Sequence, residues 1–387
     1  MKKIIYVGYP SFPKGLAQVQ RQLLIAKGLA EHNCKVLVLN RYGVHSQRET
    51  EIKAEGCFEG IDYKYCSGTP FRPTSFIRRN ILKIKGLFIE LKTLIKERRK
   101  KNANALIITC NNFKGILYYT VLAKILNYTS VVDQVEYWSA QDFGRNRKLD
   151  SYLNDRYYGY FSDKSIVISD FLMTKLNENQ PGTAAIKIPA ICDFSLFEQH
   201  KGYVNGSQYF LYCGSAAYFE VIRFVLDAYA LIHSTTALVL VISGDLKWIG
   251  KVKRYIETSN IQQVTIKSNI PYSELVSLYK GSLALLIPLR PNLQDTARFP
   301  HKLGEYTASR RPIISSNIGE VKAYFKDGLN AFLCEDFEIE AYSQKMREAI
   351  EYPEKRELIA SRSFDTGMKD FDYRKNSKEL YQFIFEN

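Results

Sequence analysis

The residues best suited to chemistry are gathered in one stretch, residues 298–320, which reads RFPHKLGEYTASRRPIISSNIGE. Arg298 and Lys302 bring positive charge, and Glu305 falls within one helical turn of Lys302. Arg310 and Arg311 precede Pro312, the apolar pair Ile313-Ile314 follows, and Gly319-Glu320 closes the stretch. A strand, a polar loop and a helix start in this order form the layout that holds nucleotides at the carboxyl edge of a parallel sheet. A plainer reading stays open for each. Glu305 also suits the first turn of any helix, where the dipole favours an acid, and Lys302 also suits a solvated surface. Arg310 and Arg311 read as an exposed helix end.

Such residues need a parallel sheet to position them, and the chain begins by building one. Lys3–Gly8 is a short apolar strand and YPSFPKG a loop. Ala17–Glu31 carries Val19, Leu23, Ala26 and Ala30 at helical spacing, and Lys35–Leu39 is a second strand. That β-loop-α-β opening implies a parallel sheet with a right-handed crossover. Its loop contains Gly15 but neither GxGxxG nor GxxxxGK[ST], which argues against a bound dinucleotide and against a P-loop kinase. Further strands are expected at 105–109, 130–133 and 164–168. Asp133 and Glu136 stand at the carboxyl end of the second of these, and Ser169 or Asp170 offers an N-cap for the helix that follows. Residues 199–208, QHKGYVNGSQ, read as a linker.

The same grammar then restarts. A strand at 210–213 meets a Gly214-Ser215-Ala216 turn and a helix over 219–232. A strand at 238–242 stops at Ser243-Gly244-Asp245, and strands at 264–266 and 283–289 flank a helix over 273–280. The expected fold is α/β, with two Rossmann-like α/β domains facing each other across a cleft.

Composition agrees with a globular chain of 387 residues, 46% hydrophobic and 24% charged. The net charge of +14 is uneven. Residues 1–200 hold 30 Lys and Arg against 18 Asp and Glu, or +12, and the rest holds 24 against 22, or +2. The first half is therefore expected to meet something anionic. Seven scattered cysteines without a CxxC pair read as reduced thiols in a cytosolic protein. The opening MKKIIYVGYP reads as a strand rather than a signal peptide, and no apolar run reaches the ~18 residues of a membrane span. The basic stretch 76–101 places Ile77, Ile81, Ile84, Leu87 or Phe88, Leu91, and Leu94 or Ile95 on one stripe. Its ten Lys and Arg stand against Glu90 and Glu97. The stripe is expected to pack on its own domain. The basic edge would then be either a solvated face or a contact with an anionic membrane surface. Nucleic acid is disfavoured, because no helix-turn-helix, RRM or zinc signature is present.

In the order of these pieces the chain resembles the retaining glycosyltransferases of the GT-B fold, family 4, over nearly its full length. YPSFPKGLAQVQRQLLIAKGLAEHNCKVLVL resembles the family's glycine loop and first helix. DKSIVISDFL and KIPAICDFSLF resemble its end-of-domain signature. FPHKLGEYTASRRPIISSNIGE and DGLNAFL resemble its donor-binding segment. The resemblance implies an N-terminal acceptor-binding domain (1–200), a C-terminal domain for the nucleotide sugar (201–368), and a last helix (369–387) that crosses back to the first domain. It implies a nucleotide-diphosphate sugar as donor, transfer with retention to a saccharide or lipid-linked acceptor, no cofactor and no required metal.

Glu305 falls on the family's second glutamate, which binds the donor ribose. The position of its first glutamate is Ala297 here, so the sugar contact is either missing or supplied by a neighbour such as Asp295. The family's basic pair after the first strand of the second domain is reduced to Arg223. The expected donor cations are therefore Lys302 and Arg298, with Arg290 in reserve. Gly214, Ser215, Gly244, Gly319 and Glu320 complete the expected donor site, and Gly15 and Glu136 the acceptor side. Asp133 is the candidate base or acceptor ligand, with a merely structural role equally open. The resulting expectation is a glycosyltransferase of bacterial surface polysaccharide assembly, cytoplasmic or peripheral at the inner membrane face. Two rivals fit the same residues: a GT-B-fold scaffold without transferase activity, and a nucleotide-sugar epimerase.

Overall fold

A computed structural model describes residues 2–386 except 10, 16, 47–50, 101–102, 142–146, 204–207 and 233. The chain divides into two compact units, one formed by residues 1–191 and 373–387 and the other by 192–372. The division falls ahead of the expected 200/201 boundary. Cys192 is already tied to its own unit by its N–H, which donates to Phe371 O at 2.8 Å. Residues 204–207 of the expected linker lie outside the described residues.

The first unit runs β1 (Lys2–Val7), α1 (Ala17–Glu31), β2 (Cys34–Asn40), β3 (Glu55–Phe58), β4 (Ile61–Tyr65), α2 (Phe76–Arg99) and β5 (Ala103–Ile108). It continues through α3 (Phe113–Leu126), β6 (Thr129–Gln134), α4 (Lys148–Tyr157), β7 (Lys164–Val167), α5 (Asp170–Asn179) and β8 (Ala184–Lys187). Its sheet has the order β3-β4-β2-β1-β5-β6-β7-β8, and only β3 runs antiparallel. Ile4, Ile5, Leu106, Ile107 and Ile108 are completely buried, as strands covered by helices on both faces must be. Ser169 caps α5 by accepting from Leu172 N at 3.2 Å.

The second unit runs α6 (Phe194–Gln199), β9 (Tyr209–Ser215), α7 (Phe219–Ala230), β10 (Ala237–Ser243), α8 (Leu246–Thr258), β11 (Val264–Lys267), α9 (Tyr272–Gly281) and β12 (Ala284–Ile287). It continues through α10 (Leu293–Ala297), α11 (Lys302–Ala308), β13 (Ile313–Ser316), α12 (Glu320–Tyr324), β14 (Phe332–Cys334), α13 (Ile339–Glu351) and α14 (Pro353–Asp370). The order β11-β10-β9-β12-β13-β14 is parallel throughout. This is a doubly wound sheet whose direction of winding reverses between β9 and β12.

The last helix, α15 (Tyr373–Phe385), belongs to the first unit and packs on α1. Gly28 makes the contact close, since a Cβ there would lie 2.1 Å from Ser377 Oγ. Tyr373 OH donates to Glu31 Oε1 at 2.8 Å.

The stripe on α2 is a correction. Its buried residues are Gly86, Glu90, Leu94 and Glu97, whereas Ile77, Ile81, Ile84 and Phe88 are 58–70% exposed. Polar anchoring decides the orientation. Glu90 accepts from Arg41 Nε at 2.7 Å and from Tyr119 OH at 2.8 Å, and Lys3 Nζ donates to Glu97 at 2.6 Å. Gly86 admits the Arg41 carbonyl, which a Cβ would approach to 2.0 Å.

Candidate functional site

In a doubly wound sheet, ligands sit outside the carboxyl ends of the strands where the winding reverses. In the second unit that edge is formed by the ends of β9 and β12. Gly214 and Ser215 close β9, with Ser215 in register with Ser243 of β10. Gly244, just beyond, has φ +129, which favours glycine. The Ala216 N–H donates to Ser243 O at 2.8 Å, tying the two strand ends together.

Glu305 lies in the first turn of α11, and both its oxygens are engaged. Tyr272 OH donates to Oε1 at 2.8 Å and Tyr279 OH to Oε2 at 3.3 Å. Burial pushes the Glu305 carboxyl above its usual range. The Tyr272 hydrogen bond, the Lys302 charge and the Tyr279 hydrogen bond oppose that push. Lys302 also acts on the Cys213 thiol, which burial raises and the ammonium lowers. Lys302, Glu305 and the end of β9 therefore form one electrostatic neighbourhood. Each carboxylate oxygen retains a second lone pair, so Glu305 can still accept from hydroxyls of a ligand.

Arg290 and Arg298 are brought together by Asp295. Arg290 donates to Asp295 through its backbone N–H at 2.9 Å, Nε at 2.8 Å and Nη2 at 3.0 Å, and Arg298 Nη2 lies 2.9 Å from Oδ1. Burial alone would raise the Asp295 carboxyl, but the hydrogen bond from Arg290 and the charges of both arginines hold it below the usual range. The two guanidinium groups stand 5.7 and 5.3 Å from the Tyr218 ring centre. Asp295 is itself completely buried. It therefore sets the two arginines, and Ala297 beside it is 1% exposed.

Other expected residues are placed elsewhere. Asp133 is 4% exposed and held by Arg21, whose Nε and Nη2 lie 3.3 and 3.2 Å from its two oxygens. Arg21 also donates to Pro189 O and Ile188 O at 2.7 and 2.9 Å. These contacts make Asp133 an internal acid that joins β6, α1 and the segment after β8, in line with the structural one of its two expected roles. Arg223, the other expected donor residue, projects from the solvent face of α7 and pairs with Glu220 at 3.2 Å. Gly319, at φ +56, caps α12 and packs its Cα against the α10 backbone, where a Cβ would lie 2.9 Å from Thr296 O. Glu320 follows it, 2% exposed. Gly15 is exposed, and a Cβ there would strike Val19 Cγ2 at 2.3 Å, so its smallness serves the start of α1. Glu136 is half-buried, and its carbonyl accepts from Gln134 Nε2 at 2.9 Å.

Sequence reasoning missed Tyr272, Tyr279 and Tyr218. The first two are seven residues apart on α9 and so share a face, a spacing that was legible but reads equally as core packing. Among the described residues, no group of three or more His, Cys, Asp or Glu is arranged to hold a metal ion. No helix there is long and apolar enough to cross a membrane.

Comparison with known proteins agrees with the second unit's architecture. Residues 195–364 match the family model described as "Glycosyl transferases group 1". An uncharacterized glycosyltransferase of Methanocaldococcus jannaschii is 23% identical over 199 residues, covering 51% of this chain and 52% of that protein. The chain thus matches about half the length of this curated relative. Among solved structures, the sucrose-phosphate synthase of Thermosynechococcus elongatus superposes with a TM-score of 0.77 at 13% identity, covering 100% of this chain and 99% of that one. HepE of Anabaena, solved in complex with UDP and glucose, gives 0.72 at 13% identity with full coverage of both chains. A Rickettsia africae glycosyltransferase gives 0.71 at 14% identity, covering 100% and 99%. At these identities the likeness establishes the fold, which is GT-B with two Rossmann-like α/β domains.

Proposed function

We propose that this GT-B chain is a glycosyltransferase that takes a sugar from a nucleotide diphosphate and transfers it to a saccharide acceptor. One observation carries the reading. Glu305, with a tyrosine hydroxyl on each oxygen and Lys302 in its field, stands at the reversal edge of the unit that matches the glycosyltransferase family model. On this reading Glu305 accepts the ribose hydroxyls, and the backbone at Gly214 and Ser215 approaches the diphosphate. Breaking the bond between the anomeric carbon and the diphosphate oxygen leaves negative charge on the departing nucleotide. Lys302, Arg298 and Arg290 are the cations at that edge to offset it, and such stabilisation is the main catalytic requirement of the step. The Anabaena neighbour is described with UDP-glucose, so a uridine nucleotide is the first donor to test.

Finer parts of the proposal are retention at the anomeric carbon, turnover without a metal, and an acceptor carried on a lipid in bacterial surface polysaccharide assembly. The acceptor would bind the first domain, and the +12 charge of residues 1–200 supports a lipid diphosphate there. The protein would then work in the cytoplasm, peripheral at the inner membrane face. The test is product analysis with UDP-, GDP-, ADP- and dTDP-sugars and a lipid-linked oligosaccharide, with and without EDTA. A glycosylated product of unchanged anomeric configuration, formed equally in EDTA, is expected. An inverted product or a metal requirement would contradict those parts alone.

A second reading, a GT-B-fold binding protein without turnover, draws on Ala297 and on the full engagement of Asp295 by arginines. Nucleotide binding with no product from any donor would favour it.

A further inference from the structure

The helix α2 turns its apolar stripe away from the protein. Ile77, Ile81, Ile84 and Phe88, at steps of four, three and four, are 70, 59, 58 and 66% exposed. At about 100° per residue these positions lie opposite the buried line of Gly86, Glu90, Leu94 and Glu97. A second row runs beside the stripe. Arg78, Lys85, Lys92 and Arg99 recur every seven residues, and all four are exposed. The helix contains only two acids, Glu90 and Glu97, both buried and both ion-paired. Its outer face therefore joins an apolar stripe to a row of cations with no acid to neutralise them.

Exposed isoleucines in a regular line are costly in water and call for a cover. A second copy of the chain fits poorly, because the same face in the copy offers no acid to answer the cations. A solvated face explains the basic row but not the stripe. We propose that α2 lies in the plane of an anionic lipid bilayer. The stripe enters the boundary between headgroups and acyl chains, and Arg78, Lys85, Lys92 and Arg99 rest on headgroup phosphates. Insertion of the stripe goes beyond attraction of a basic edge to a charged surface. The inference rests on the peripheral-membrane part of the proposed function, but its evidence is α2 alone, so it can fail while nucleotide binding and turnover survive.

The test is flotation of the full chain with vesicles of phosphatidylcholine alone or mixed with phosphatidylglycerol, alongside light scattering without lipid. Two variants accompany it: Ile81→Glu with Phe88→Glu, and Lys85→Ala with Lys92→Ala. All four positions are exposed, so unchanged melting temperature and nucleotide binding serve as the check on folding. The wild type is expected to float with the mixed vesicles only. The glutamate variant should lose flotation. The alanine variant should partition roughly tenfold to thirtyfold more weakly, at ~1 kcal/mol per basic residue. Failure of the wild type to float would overturn the proposal, as would a glutamate variant that floats equally well. So would a lipid-free dimer that the glutamate variant dissolves, since the stripe would then belong to a second copy.

Discussion

Tyr272 donates its hydroxyl to Glu305 Oε1 at 2.8 Å, linking the first residue of α9 to the first turn of α11. Tyr279 takes the other oxygen from the same helix. Glu305 is thus aimed before any ligand arrives, at a strand edge where a nucleotide can reach it.

Tyr272→Phe removes that hydroxyl and keeps the ring. Loss of one hydrogen bond to a charged group costs about 1.5–3 kcal/mol of stability, so the melting temperature should fall, and nucleotide affinity should fall with it because Glu305 is no longer aimed. Titration calorimetry on the wild type and the variant reads the affinity change directly. Affinity should also fall as the pH is lowered. The Glu305 carboxyl is raised above its usual range by burial, so it takes up a proton at milder acidity than an exposed acid, and the protonated form accepts hydroxyls poorly.

Asp295→Ala leaves Arg290 and Arg298 without their shared anion. Removing one partner of a buried pair costs about 3–5 kcal/mol, and the partial exposure of both arginines sets the expected loss near the lower figure. Melting temperature and donor affinity should drop together. A variant that melts normally but changes its preferred sugar would instead mark Asp295 as a sugar contact.

Arg21 and Asp133 form the corresponding internal pair of the first unit, with side-chain exposures of 0 and 1%. Arg21→Met and Asp133→Leu should each destabilise by about 3–5 kcal/mol. The double variant should recover part of that loss, because neither charge is then stranded. Strictly additive losses in denaturant unfolding would argue against the pair.

Asp155 gives a pH-dependent contribution to stability. Burial pushes its carboxyl up to about 6, against hydrogen bonds from the Ser139 and Trp138 N–H groups at 2.7 and 3.0 Å. The folded state therefore holds a proton that the unfolded chain has already released. This contribution is full below about 4 and disappears as the pH rises through about 6. The stability advantage of the wild type over Asp155→Asn should shrink by on the order of 2 kcal/mol across that interval. A gap that widens with pH would contradict the assignment.

The sheet strands and α1 were legible because their apolar runs and helical spacing have a single reading. Lys164–Val167 and Ala17–Glu31 lie within a residue of their expected bounds. The β3–β4 hairpin was not, since β3 is largely exposed and carries no pattern. Glu305 was legible by its place in a motif, whereas the partners that aim it are tyrosines 26 and 33 residues away in sequence. The stripe of α2 was visible, but its direction was not. Periodicity identifies a face, and here two buried glutamates and one glycine decided which face turned inward.

Nucleotide-sugar binding at Glu305 can be read out by thermal unfolding against UDP-, GDP-, ADP- and dTDP-sugars. Ligand at ~100 times its dissociation constant adds ~2.7 kcal/mol of stability. A rise in melting temperature with one nucleotide, lost in Glu305→Ala, is expected. An equal rise in the variant would contradict the assigned site, and no rise with any nucleotide would contradict the claim.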